Sequence, residues 1–221
     1  THCISSAASD VYKRQGPAGI GKTTIARCLF NQLSHTFQHS VFMMNVKAMY
    51  TPPVCSDDYN VKLHLQQKLL SQLINEKEED FKISHLGVAR ERLNDKKVLV
   101  VLDDVDRLVQ LEAMAKETGW FGHGSRIIIT TQDRKILKAH GITHIYKVDF
   151  PSDREAIQMF CMYAFGKKPP EDGFENLVWE VTRLVGKLPL GLRVMGSHFR
   201  GMSKQEWENE LPELWRCLDG E

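Results

Sequence analysis

Two stretches of this sequence carry residue types at spacings suited to chemistry on a phosphate. The first is Gly16-Pro-Ala-Gly-Ile-Gly-Lys-Thr-Thr24, which fits G-x-x-x-x-G-K-[ST] with Gly16, Gly21, Lys22 and Thr23 at the fixed positions. The glycines, Gly19 among them, let the backbone curl so that successive N–H groups face an anion. Lys22 offers a point charge to β- and γ-phosphates, and the Thr23 hydroxyl offers an oxygen to Mg²⁺. The second stretch is KKVLVVLDDVD, Lys96 to Asp106. Its apolar run ends in Asp103–Asp104, where the ligand crevice of an open α/β sheet lies. Asp103 is read as the Mg²⁺-holding acid and Asp104 as the base that orients an attacking water. Taken alone, the pair reads equally well as solvated acids capping a strand; with the upstream loop it points to one site. A further strand, Arg126 to Thr131 (RIIITT), brings Thr130, Thr131 and Gln132 toward the same crevice, where they can sense a γ-phosphate. A Thr-rich strand end with no ligand fits those three residues equally well.

These groups need elements to hold them. Ile25, Leu29, Phe30 and Leu33 recur at helical spacing, so a helix is expected from Thr23 to about His35. It places the loop at a helix N-terminus, which favours an anion. Ser40 to Val46 reads as a strand, Tyr50 to Tyr59 as a loop and Val61 to Leu73 as a helix. A charged loop, Glu76 to Asp80, and a short helix, His85 to Leu93, lead to the strand Val98 to Leu102. A helix over Leu108 to Lys116 and a glycine-rich turn over Gly119 to Ser125 follow. Asp133 is placed to cap a helix running to His140, and His144 to Val148 is the last strand. Alternation of this kind predicts an α/β fold, a parallel sheet with helices on both faces. The loop should follow a buried strand. Residues 1–15 supply a poor one. They are read either as an atypical, cloning-derived leader in place of the first strand or as a short irregular strand at Val11–Tyr12.

After Phe150–Pro151 no strand pattern continues. Ser152/Glu155 and Ser203/Glu206 have capping-box spacing, and Pro189 suits the first turn of a helix. Pro212 predicts a kink or stop in the last helix. The expected division is 1–15 leader, 16–149 nucleotide-binding subdomain and 150–221 all-helical subdomain.

Composition narrows the classes. The net charge of +1 gives no strong overall field and no direct nucleic-acid signal. Five scattered cysteines, Cys3, Cys28, Cys55, Cys161 and Cys217, show neither C-x-x-C nor zinc-ligand spacing, which fits a reducing compartment. No apolar run approaches the length of a membrane span, so the cytoplasm, with or without the nucleus, is the expected location.

With these motifs in place, the chain resembles the nucleotide-binding (NB-ARC) region of plant disease-resistance proteins, in the STAND class of signalling P-loop ATPases. GPAGIGKTTIAR, KKVLVVLDDVD, GSRIIITTQD, YKVDFPSDREAIQMFCMYAF and GKLPLGL occur in the family's order, over about Gly16 to Leu214. Asp106 resembles the subclass with an N-terminal TIR domain. The resemblance implies an ADP/ATP switch that assembles into a homo-oligomer when activated. It implies that Gly16, Gly19, Gly21, Lys22, Thr23 and Thr24 hold phosphates. Thr23 and Asp103 would then serve Mg²⁺, Asp104 hydrolysis, and Pro189 would pack near adenine. Many members have arginine as γ-phosphate sensor after the paired threonines; this chain has Gln132. The second helical module with its Met-His-Asp motif, the leucine-rich repeats and the TIR domain are expected as intramolecular partners outside this chain.

Slow or no turnover is expected. Asp104 is one methylene shorter than the glutamate of fast ATPases, and neutral Gln132 stabilises developing charge less than arginine. Three other functions compete: a DNA-acting ATPase, a phosphotransferase, and a truncated fragment that binds no nucleotide. A DNA-acting enzyme predicts a basic stripe with stacking aromatics, which the sequence does not show. No acceptor-site residues for a phosphotransferase can be identified.

Overall fold

The computed structural model describes residues 10–15, 17–52, 58–75, 82–116 and 118–218. Gly16 and the expected loop Glu76 to Asp80 lie outside the described residues. The chain divides into two compact units, Thr1–Gly16 with Lys22–Val148, and Pro17–Gly21 with Asp149–Glu221.

In the first unit the elements run β1 (Asp10–Gln15), α1 (Lys22–Leu33), β2 (His39–Met43), α2 (Tyr59–Ile74), α3 (Val88–Leu93), β3 (Val98–Val105), α4 (Leu108–Met114), β4 (Arg126–Thr131), α5 (Arg134–Ala139) and β5 (Ile145–Lys147). The five strands form one sheet in the order β2-β3-β4-β1-β5, with every pairing parallel. The apolar run of β3 explains its central place. Val98, Val100 and Leu102 join a core with Leu65, Leu69 and Leu111 from α2 and α4. Leu99 and Val101 face the other way, into a core with Ala26 of α1 and Ile128 of β4. Successive side chains of a strand point to opposite faces. A run without polar positions therefore requires cover on both sides, and helices provide it.

Three expectations need correction. The first strand is present, and it is longer than Val11–Tyr12. The backbone of β1 pairs with β4 along all of Asp10–Gln15 and with β5 from Lys13 to Gln15. Ladder bonds on both edges hold it in the sheet. The strand expected to reach Val46 ends at Met43, because Asn45 adopts a left-handed conformation (φ 51°). Val46 then opens a 3₁₀ turn, Val46–Met49. The third correction falls in the second unit and concerns Pro212.

That unit contains α6 (Asp153–Ala164), α7 (Glu175–Leu184), α8 (Pro189–His198) and α9 (Lys204–Leu218). Ser152 and Glu155 complete a capping box at α6, and Ser203 and Glu206 exchange the same bonds before α9. The core surrounds Trp207, which is fully buried. Its indole stacks on Phe165 at 5.6 Å, meets Phe160, Phe174 and Phe199, and donates from Nε1 to the Phe199 carbonyl at 3.2 Å. Gly196 lets α8 approach α6: a Cβ there would stand 2.7 Å from the Tyr163 Cβ. Helix α9 runs through Pro212 without stopping. The carbonyl that Pro212 cannot serve belongs to Glu208, an exposed residue whose carbonyl water can satisfy.

Candidate functional site

Helix α1 begins at Lys22, so Lys22 and Thr23 occupy the turn where backbone N–H groups lack helical partners. Strand β3 carries Asp103 toward its C-terminal end, and β4 carries Thr130 beside it. The Thr23 hydroxyl donates to Asp103 Oδ1 at 2.9 Å and Oδ2 at 3.1 Å. The Thr130 hydroxyl donates to Asp103 Oδ1 at 2.7 Å. Asp103 is only 5% exposed, and these hydroxyls satisfy a carboxylate that would be costly to bury bare.

The tip of β3 is not a regular strand. From Leu102 to Val105 it advances three residues while β4 advances two, from Ile129 to Thr131. One extra residue on one strand is a bulge, a device that re-aims side chains. Asp104 takes up the distortion with φ 58°, a left-handed conformation that aspartate tolerates better than most residues. Its amide donates to Thr130 Oγ1 at 2.8 Å. Neither the bulge nor the part played by Thr130 is visible in the sequence, because both are defined by how β3 meets β4.

Lys22 is 7% exposed. Burial holds its pKa below the ordinary 10.5, while the negative charges of Asp104 and then Asp103 push it back up. The cation predicted from the loop and the acids predicted from β3 thus lie within electrostatic reach of one another.

The remaining predicted residues fall in different places. Thr24 is exposed on α1, and Gln132 is exposed just beyond β4. Thr131 is fully buried; its hydroxyl donates to the Val105 carbonyl at 2.6 Å and accepts from the Asp133 amide at 3.1 Å. That hydroxyl is engaged by backbone on both sides. Asp106 accepts from Gln110 Nε2 at 3.0 Å. Buried Gln110 also donates to the Val46 carbonyl and accepts from the amides of Asp106 and Arg107, which pins the loop leaving the acidic pair.

In the second unit, Gly19 (φ 77°) and Gly21 (φ 96°) both take conformations that favour glycine. The Gly19 carbonyl accepts from the Leu190 amide at 3.1 Å, and a Cβ on Gly19 would lie 2.9 Å from the Leu190 Cβ. A Cβ on Gly21 would meet nothing within 4 Å. Pro189 opens α8, where its missing N–H costs nothing.

Among the described residues no group of three or more His, Cys, Asp or Glu could hold a metal by itself. Mg²⁺ does not require one: it is bound through one or two protein oxygens together with substrate phosphates and water. Thr23 and Asp103 offer hard oxygens side by side. The Thr23 proton is spent on Asp103, which leaves the hydroxyl's lone pairs for a cation. The residues present therefore fit the ion.

The family model described as the NB-ARC domain matches residues 4–169. The chain is 62% identical over 205 residues to the probable disease resistance protein RPP1 of Arabidopsis thaliana, and 63% identical over 204 residues to disease resistance protein TAO1 of the same plant. The matches cover 93% and 92% of this chain and 17% of each relative's length. A solved structure of C. elegans PCH-2 superposes with a TM-score of 0.51 at 17% identity, covering 95% of this chain and 60% of that one. At that identity the likeness concerns the fold alone. No helix among the described residues is long and apolar enough to cross a membrane.

Proposed function

Because the chain belongs to the NB-ARC domain family, we propose that it is the ADP/ATP-binding switch module of a plant intracellular immune receptor, acting in defence with slow or no ATP hydrolysis. The observation that carries this reading is the direct contact of Thr23 with Asp103. It joins the end of the phosphate loop to the acidic strand tip, as binding of a metal-bearing nucleotide requires.

In this reading Lys22 exchanges its carboxylate neighbours for β- and γ-phosphate oxygens. Burial makes that exchange favourable, since a desolvated cation interacts more strongly with an anion than a solvated one does. Gly19 and Gly21 give the loop the backbone turns that aim N–H groups at phosphates. Thr23 and Asp103 would hold Mg²⁺, which supplies neutralisation of the phosphate charge when bound. Asp104 stands as the base for an attacking water, and its side chain, one methylene shorter than glutamate, supports slow turnover. Gln132 senses the γ-phosphate without a charge, Thr24 adds a hydroxyl to the phosphate contacts, and Pro189 packs near adenine. The TIR and leucine-rich-repeat domains of a full-length protein would be the intramolecular partners, with homo-oligomerisation on activation in the cytoplasm or nucleus.

The test is direct. Denaturing the purified protein and resolving the released small molecules by chromatography should yield ADP or ATP in near-equimolar amount. Protein that releases no nucleotide and shows no thermal shift with added ADP overturns the reading.

A further inference from the structure

Thr130, which the sequence places beside Thr131 and Gln132 as able to sense a γ-phosphate, spends its hydroxyl on the acidic pair. It is 1% exposed at the end of β4, and its single hydroxyl serves two neighbours. It donates to Asp103 Oδ1 at 2.7 Å and accepts the Asp104 N–H at 2.8 Å. The second bond lies at the bulge, where the β3–β4 register shifts and Asp104 turns left-handed. A bulge disrupts the ladder locally and can leave an N–H without a strand partner, and here a side-chain oxygen takes the carbonyl's part. The first bond fixes the carboxylate that faces Thr23. One hydroxyl thus ties the orientation of Asp103 to the backbone conformation of Asp104.

We propose that Thr130 is the positioning residue of the acidic pair, holding Asp103 and Asp104 in register as one unit and thereby setting the Mg²⁺-dependent part of nucleotide affinity. Thr130 acts through Asp103 and Asp104, without contact to nucleotide. The inference rests on the nucleotide-site reading above. Groups that orient a metal-holding residue commonly cost 10–100-fold in metal affinity when removed. Valine matches threonine in shape and lacks the hydroxyl, so Thr130→Val removes both bonds and little else. The phosphate loop is untouched, so binding without metal is preserved.

The experiment is calorimetric titration of wild type, Thr130→Val and Thr130→Ser with ADP, once in excess Mg²⁺ and once in EDTA. The expected result is an about tenfold weaker Kd for Thr130→Val in Mg²⁺, a Kd within twofold of wild type in EDTA, and recovery in Thr130→Ser. Equal Mg²⁺ enhancement in wild type and Thr130→Val overturns the proposal while the nucleotide site stands. Absence of ADP binding by wild type in either condition overturns the nucleotide site itself. If Thr130→Val does not fold, amide hydrogen exchange of wild type decides instead. The Asp104 amide should be as protected as the ladder amides of β3, and exchange at the rate of an exposed loop amide defeats the proposal.

Discussion

Thr23 and Asp103, eighty positions apart in sequence, meet through a hydroxyl that donates to both carboxylate oxygens, at 2.9 and 3.1 Å. One residue lies in the first turn of α1 and the other near the tip of β3. Their contact is the point where two separate sequence motifs become one site. Thr130 approaches the same carboxylate from β4, so three elements of the sheet unit converge on one acid.

The first prediction concerns Lys22. Saturating ADP, at about a thousandfold over its Kd, should stabilise the wild type by about 4 kcal/mol. Lys22→Ala should lose that shift. Its apo transition should not fall, because burial of a charged lysine costs folding free energy that alanine does not incur. The sign with pH follows: a lysine whose folded pKa lies below 10.5 destabilises the fold while protonated in both states. That cost is relieved as pH rises through the folded pKa. ADP affinity should fall over the same range, since the phosphates then lose their cation. Titration calorimetry at pH values rising toward 10.5 checks this, and an ADP shift in Lys22→Ala equal to that of wild type contradicts the assignment.

The helical unit offers a test of its own. Trp207 is fully buried and touches four phenylalanine rings. Trp207→Ala should destabilise the protein by about 3–5 kcal/mol, the usual range for emptying such a core position. Trp207→Phe keeps an aromatic ring but leaves the Phe199 carbonyl without its indole donor; about 1–3 kcal/mol is expected. Urea denaturation followed by circular dichroism measures both. Equal losses in the two variants would mean that ring packing contributes little.

Legibility of the sequence followed the physics of each segment. Strands β3 and β4 are readable because a parallel strand covered on both faces shows an unbroken apolar run, as VLVVL and III do. The capping boxes at Ser152 and Ser203 were readable because the interaction is local. The strand β1 was not: DVYKRQ lacks that run, and its place is secured by backbone pairing with β4 and β5. The end of β2 at Met43 is not legible in SVFMMNV, because Asn45 turns left-handed ahead of Val46. Of the kink or stop expected at Pro212, the stop does not occur, since an exposed helix surface leaves the orphaned carbonyl to water. At the site, motif spacing predicted Lys22, Thr23 and Asp103 together. The β3 bulge and the bonds of Thr130 required the register between two strands, which no single segment encodes.

Acid should act through the two capping boxes. The Ser152 hydroxyl and then its amide hold the Glu155 carboxyl below the ordinary 4.5, and Ser203 does the same for Glu206. A carboxyl lowered in the folded state gives stability that is present above the unfolded pKa. That stability is lost as pH falls through the folded value. The double variant Glu155→Gln/Glu206→Gln should therefore show a shallower fall of Tm between pH 6 and pH 3 than wild type. Thermal melts across that range report the slope. Identical slopes would assign the acid sensitivity to other carboxylates.

Asp104 separates backbone strain from chemistry. Its φ of 58° is tolerated by aspartate and asparagine and resisted by β-branched residues. Asp104→Val should destabilise the apo protein by about 1–3 kcal/mol. Asp104→Asn keeps the short side chain and the tolerated backbone, losing only the charge that offsets burial of Lys22, and should cost less than Asp104→Val. The asparagine removes the carboxylate that the proposed role as a base requires. Loss of a positioned base typically costs 10²–10⁴-fold, so single-turnover hydrolysis of bound ATP should fall by roughly that factor. ADP binding, assigned in the proposed function to the loop and Lys22, should persist in Asp104→Asn. Rapid-quench assays on the ATP-loaded protein, paired with ADP titration, read the two quantities separately. If Asp104→Asn hydrolyses ATP at the wild-type rate, the role of Asp104 is confined to shaping the bulge.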